Sequence, residues 1–161
     1  MDGQSENYIL ILKDSLKKKQ MILEKLLKLN ERQKNAVSGI NFDSEEFEAV
    51  VEEKDKYIEQ IDELDRGFQN IYEHVKLELS DNREKYKKEI EELKQLISDV
   101  TEKSMEVQIS EKRNEKLVYT KIADERKKIH QSRTASRVAS DYYKSMSKVN
   151  VIDPQFLDKK K

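Results

Sequence analysis

The sequence predicts an all-α protein: an elongated antiparallel helical hairpin, extended to a three-helix bundle, with a weakly ordered amphipathic tail at the C-terminal end. Three observations lead there. Of 161 residues only three are Gly and one is Pro, and a β-rich or α/β fold of this size needs more of the turns those residues make. Charged residues make up 40% of the chain and hydrophobic residues 35%, which suits long helices that each bury one stripe. Apolar residues also recur at steps of three and four over long stretches, which argues against disorder through most of the chain.

The first helix is expected over about 4–37. Ile9, Leu12, Leu16, Leu23, Leu26 and Asn30 share one stripe, and Ile22 and Leu29 widen it towards a bundle face. Ser5 is a candidate cap, and Ser38-Gly39 a candidate stop in which Gly takes the left-handed conformation. The second helix, 44–79, restarts behind Asp43-Ser44-Glu45-Glu46, where an Asp or Ser cap precedes early acidic residues that complement the helix dipole. Phe47, Val50, Lys54, Tyr57, Ile61, Leu64, Phe68, Ile71 and Val75 then alternate by threes and fours, and only Lys54 is polar. Gly67 falls inside this helix.

Ser80-Asp81-Asn82 is the expected second turn, because a reversal lets one chain bury its own stripes. The third helix, 82–130, carries Tyr86, Ile90, Leu93, Ile97, Val100, Ser104, Val107, Glu111, Asn114 and Val118 on one seam. Its later half is polar, so packing there is expected to loosen or to face a different partner. At this length the helix should project beyond the other two. These three helices make a body over 1–130, followed by a tail over 131–161. Charge favours the hairpin. Residues 43–65 hold eleven acidic and two basic groups, whereas the first helix is rich in Lys. Folding back near residue 40 sets Lys34 by Glu46, Lys28 by Glu52, Lys25 by Asp55 and Lys17 by Glu63. Each exposed pair is worth well under about 1 kcal/mol, so such pairs select orientation rather than supply stability.

Chemistry is sparse. With no Cys there is neither a disulfide framework nor a thiolate metal site. His74 and His130 are the two histidines, and neither has Glu three residues earlier, so no metal or other cofactor is expected. No Gly-rich phosphate loop or nucleophile triad occurs, and the carboxylates are interleaved with lysines as on solvated helix faces. The sequence therefore predicts a protein that is not an enzyme. Arg126-Lys127-Lys128 with Arg133 and Arg137 is a basic patch, but the net charge is −1 and Asp124 and Glu125 lie beside it, so nucleic acid is not an expected partner. The longest apolar run, Tyr8–Leu12, is too short for membrane insertion or a signal-peptide core, which points to a cytoplasmic protein.

The tail differs from the body. Net charge runs from −6 over residues 1–80 to +4 over 131–161. Ala135, Val138, Tyr142, Met146 and Val149 fall on one face of a nascent helix too short to make its own core. Two outcomes are open for it: folding back onto its own bundle, or ordering in an apolar groove of a partner.

The run Ser110-Glu111-Lys112-Arg113-Asn114-Glu115-Lys116-Leu117-Val118-Tyr119, followed by Ser140-Asp141-Tyr142-Tyr143 and the tail to Lys161, resembles the FlgN-type flagellar export chaperones. Lys144-Ser145 stands where members of that family often have Gly after the tail Tyr. The resemblance implies a cytoplasmic chaperone that binds hook-associated proteins, prevents their premature assembly and delivers them to the export gate. It places client contacts by position on Val138, Tyr142, Tyr143, Met146 and Val149, and a contact with the export-gate component on Tyr119 or Tyr142. It also implies a monomer or weak dimer. The alternative is a coiled-coil scaffold protein in which Ser80–Asn82 does not turn and one long helix dimerises.

Overall fold

A computed structural model describes residues 2–126 and 132–146. It contains four helices, α1 (Asp2–Ser38), α2 (Ser44–Asp81), α3 (Lys87–Arg126) and α4 (Ser132–Met146), and no strand among the described residues. The protein is all-α. The first three helices each span about 55–60 Å at about 1.5 Å per residue.

Helix α1 is the common partner of the other two long helices. Cross-links along its length give the directions. Ser15 Oγ donates to the Leu64 carbonyl at 3.4 Å, Lys19 meets Asp65 at 2.8 Å, and Arg32 meets Glu46 and Glu53 at 2.8 and 3.3 Å, so α2 runs antiparallel to α1. Lys13 meets Glu92 at 2.5 Å, Asn30 donates to Ser110 at 2.5 Å and Arg113 meets Glu31 at 3.1 Å, so α3 runs parallel to α1. The antiparallel register is the one the charge pattern indicated, but the bridging residues are Lys19 and Arg32. Lys25 instead lies 5.4 Å from the centre of the Tyr57 ring.

The first connection is closed by three devices. Asp43 caps α2 by accepting from the Glu46 backbone N–H at 3.1 Å, and its own N–H donates to the Ala36 carbonyl at 3.0 Å. Lys121 on α3 donates to the carbonyls of Gly39 and Ile40, so a cation serves the orphan acceptors just beyond the end of α1. Gly39 does not take the left-handed conformation expected of it, since no described glycine has positive φ. Ser5 is not a cap either, because α1 already begins at Asp2.

The second reversal lies at 82–86, just past the expected Ser80–Asn82, with Tyr86 N–H donating to the Asn82 carbonyl at 3.1 Å. The chain therefore does not form the continuous helix that the scaffold alternative requires. Helix α3 is described as far as Arg126, and residues 127–130, the last part of the expected third helix, lie outside the described residues.

The core follows the predicted stripes with two differences. On α2, Val51, Ile58, Tyr72 and Leu79 are buried, while Tyr57, Leu64 and Ile71 are only partly so. Near Lys54 the stripe widens because α2 faces α1 on one side and α4 on the other. On α1, the step from Leu16 to Leu23 is bridged by Lys19, which is buried and bonded to Asp65. Burial pushes the Asp65 carboxyl above its usual range, against the pull of Lys19.

Leu23 is fully enclosed whereas Ile11 is 48% exposed. Leu23→Ala is expected to lower the unfolding free energy by about 2–5 kcal/mol. Ile11→Ala should stay within about 0.5 kcal/mol of the parent. Urea denaturation of the two variants checks both.

Candidate functional site

Helix α4 doubles back from α3 and docks against α2 and α3. Ala139, Tyr142 and Met146 are buried there, with Val138 and Tyr143 partly buried beside them. Of the two outcomes open to the tail, residues 132–146 take the one in which it folds back onto its own bundle. Val149 and the rest of 147–161 lie outside the described residues, as does His130.

Beneath α4 the bundle is polar where a helix seam would ordinarily be apolar. Lys54 of α2 is wholly buried, as are Gln33 and Asn30 of α1 and Asn114 of α3, and Glu111 is nearly so. The Lys54 ammonium has three neighbours, matching its three protons. It is ion-paired with Glu111, donates to Gln33 Oε1 at 3.3 Å, and sits 4.1 Å from the centre of the Tyr142 ring. Tyr142 in turn donates its hydroxyl proton to Glu111 Oε1 at 2.5 Å. One carboxylate oxygen thus receives both the ammonium and the phenol, which ties α2, α3 and α4 at a single point.

A second layer holds that carboxylate's surroundings in place. Asn114 Nδ2 donates to the Asn30 carbonyl and to Gln33 Oε1, each at 2.9 Å. Arg113 reaches back to Asn114 Oδ1 at 3.2 Å and outward to Glu31 at 3.1 Å. Ser110 Oγ accepts a hydrogen bond from Asn30 Nδ2 and donates one to the Val107 carbonyl at 2.8 Å. Satisfaction is incomplete, however. Glu111 Oε2, Gln33 Nε2, Asn30 Oδ1 and the Tyr143 hydroxyl are buried without a hydrogen bond.

Burial dominates the proton affinities here. It pushes the Lys54 ammonium down to about 8 from 10.5, with the Glu111 charge acting against that fall. It pushes the Glu111 carboxyl up, opposed by Lys54 and by the nearby Asn30 amide. The Tyr143 phenol is driven up by burial and then by the Glu111 and Glu115 charges. An arrangement of this kind can hold a helix in one register, because an aromatic hydroxyl at one position completes it.

The sequence-derived site residues are therefore split. Val138, Tyr142, Tyr143 and Met146 come together, but facing inward. Tyr119 on α3 is 47% exposed, whereas Tyr142 is sealed. Lys54, Glu111, Gln33 and Asn114 were not among the candidates, although Lys54 was the single polar residue in its stripe and Glu111 and Asn114 the polar members of theirs. Of the two expectations for the polar half of α3, it is the second that holds within the chain: the seam stays packed and faces α4 as well as α1. His74 lies elsewhere, exposed, with Nδ1 at 2.8 Å from the Asn70 carbonyl and its ring 5.7 Å from that of Tyr8. No group of His, Cys, Asp and Glu among the described residues could hold a metal ion. No described helix is long and apolar enough to cross a membrane.

The architecture is that of an all-α helical bundle with a short docked helix, and comparison with known families places it further. Residues 8–134 match the family model described as FlgN protein, so the chain belongs to the FlgN family, whose members are flagellar export chaperones. Compared with curated proteins and with solved structures, the chain matches none.

Two outcomes are expected at the buried pair. Glu111→Ala leaves the Lys54 ammonium without its counter-charge and should lower stability by about 3–5 kcal/mol, whereas Lys54→Met combined with Glu111→Leu and Tyr142→Phe, which removes the hydroxyl that Glu111 accepts from, should be no less stable than the parent; urea unfolding of the two variants checks this. The second outcome concerns pH. The folded value of Lys54, about 8, lies below the 10.5 of the free side chain, so between them the unfolded chain binds the extra proton and stability rises with pH. Thermal melts should show the parent gaining on Lys54→Met from pH 8 to 10.5, and a constant difference would mean that Lys54 keeps its ordinary proton affinity.

Proposed function

We propose that the protein is a cytoplasmic chaperone that binds hook-associated proteins, keeps them from assembling before export and delivers them to the export gate, without catalysis, metal or cofactor. The observation that carries this reading beyond the family is the seating of α4 against α2 and α3. The long three-helix body carries one short helix, whose apolar face, Val138, Tyr142, Tyr143 and Met146, rests on a polar floor. In this reading the body keeps its fold when the short helix moves.

In this reading Val138, Tyr142, Tyr143 and Met146, continued by Val149, meet the client once α4 leaves its seat. Tyr and Met suit a surface that must adapt to more than one helix, because a flexible thioether and an amphipathic ring tolerate different neighbours. Tyr119 is the stronger of the two gate-contact candidates, since its ring is already open on α3 while Tyr142 is exposed only after α4 lifts. The acting species is a monomer or a weak dimer.

Pull-down from the native cytoplasm with the tagged chain should enrich hook-associated proteins. Removal of residues 132–161 should abolish that enrichment while the helicity and melting of the remainder stay close to those of the whole chain. Undiminished capture by the shortened chain would take α4 out of the mechanism. Tyr119→Ala should keep client capture and lose the gate component.

A further inference from the structure

The seat of α4 is more selective than a 15-residue helix needs for docking alone. A groove meant only to store an amphipathic segment would be apolar. This one places a buried ammonium, a buried carboxylate and two buried amides, from three different helices, where the middle of α4 lands. The resident offers them one donor, the Tyr142 hydroxyl, and one ring face. It leaves Glu111 Oε2, Gln33 Nε2 and its own Tyr143 hydroxyl without hydrogen bonds. The seat is therefore chemically demanding and only partly satisfied by its occupant.

Resting on the chaperone reading above, we propose that the α2–α3 seat now filled by α4 is itself the client-helix site, and that α4 is a placeholder which the client helix replaces. The occupant that fits is an amphipathic helix resembling the resident. It has a small residue where Ala139 lies, a tyrosine three positions later with its hydroxyl on Glu111 and its ring over Lys54, and Met or Leu four positions after that, where Met146 lies. The reason is electrostatic. A purely aliphatic helix would strip Glu111 of its phenolic donor and Lys54 of its aromatic face, while both charges stayed buried. A tyrosine-bearing helix repeats the resident's contacts, and one with a further donor reaches the unsatisfied Glu111 Oε2. Because α4 is tethered through residues 127–131, it competes at high local concentration, so only a helix that satisfies this polar point displaces it. Displacement also frees Tyr142, Tyr143 and Met146 for the client contacts given above.

Two measurements test this. In the first, a labelled synthetic peptide of residues 132–149 is titrated into the full chain carrying Tyr142→Ala, whose own α4 is weakened and whose helicity is checked by circular dichroism. The peptide should bind about tenfold tighter than the same peptide with Tyr142→Phe, as expected for loss of a hydrogen bond to a charged group. Equal affinities, or no binding of either peptide, would overturn the selectivity of the seat. In the second, hydrogen exchange of the unmodified full chain is followed with and without the hook-associated protein captured in the pull-down. Amides of 136–146 should lose protection while those of 51–58 and 107–114 keep it. Client binding with α4 still protected would overturn the placeholder role and leave the chaperone reading standing. Failure to capture any hook-associated protein would instead sink the chaperone reading, and the placeholder role with it.

Discussion

A lysine cannot be taken out of water without a partner, and in this protein that constraint governs where α4 lies. Lys54 carries its ammonium into the space between α2 and α3, and Glu111 supplies the opposing charge. Neither group is fully served by the other. Lys54 needs Gln33 and an aromatic face, and Glu111 needs a further donor. Tyr142 provides both missing pieces from a single side chain, since its ring covers the ammonium and its hydroxyl reaches the carboxylate. A helix sliding past this point by one residue would swing the tyrosine by about 100° around its axis and lose both contacts at once. Register is thus specified by a polar contact, where an apolar face alone would tolerate several positions.

The same contact limits how firmly α4 is held. Desolvating the two charges offsets much of the attraction between them, so the pair is a device for specificity more than for stability. Apolar packing on α4 comes from Ala139, Tyr142 and Met146 fully and from Val138 and Tyr143 in part. The long helices are different. Fully enclosed residues such as Leu12, Leu23, Leu26, Ile61 and Ile97 bind α1 to α2 and α3 over most of their length. The architecture of this member of the FlgN family is thus a long three-helix body with a short helix seated on a polar point.

Much of this could be read from residues alone. The three long helices, the acidic cap at Asp43 and the antiparallel hairpin all follow from local physics: a 3-4 repeat buries one stripe, an Asp before an acidic turn caps a helix, and opposite charges on facing surfaces prefer one direction. The α3 seam from Leu93 to Val118 is buried position for position as its spacing indicated. The site was only half legible. Lys54, Glu111 and Asn114 stood out as polar residues in apolar stripes, but each stripe was read by itself, and a polar residue in one stripe looks like a defect until its partner in another is known.

What the sequence by itself determined is therefore the helices, their buried faces and the direction of the first hairpin, because these depend on residues near one another in the chain or on charge summed over many residues. What only the tertiary structure decided is that Gln33, Lys54, Glu111, Asn114 and Tyr142 meet at one point, and that the aromatic face of α4 looks inward. Those facts depend on the relative rotation of four helices, and no spacing within a single helix encodes that angle.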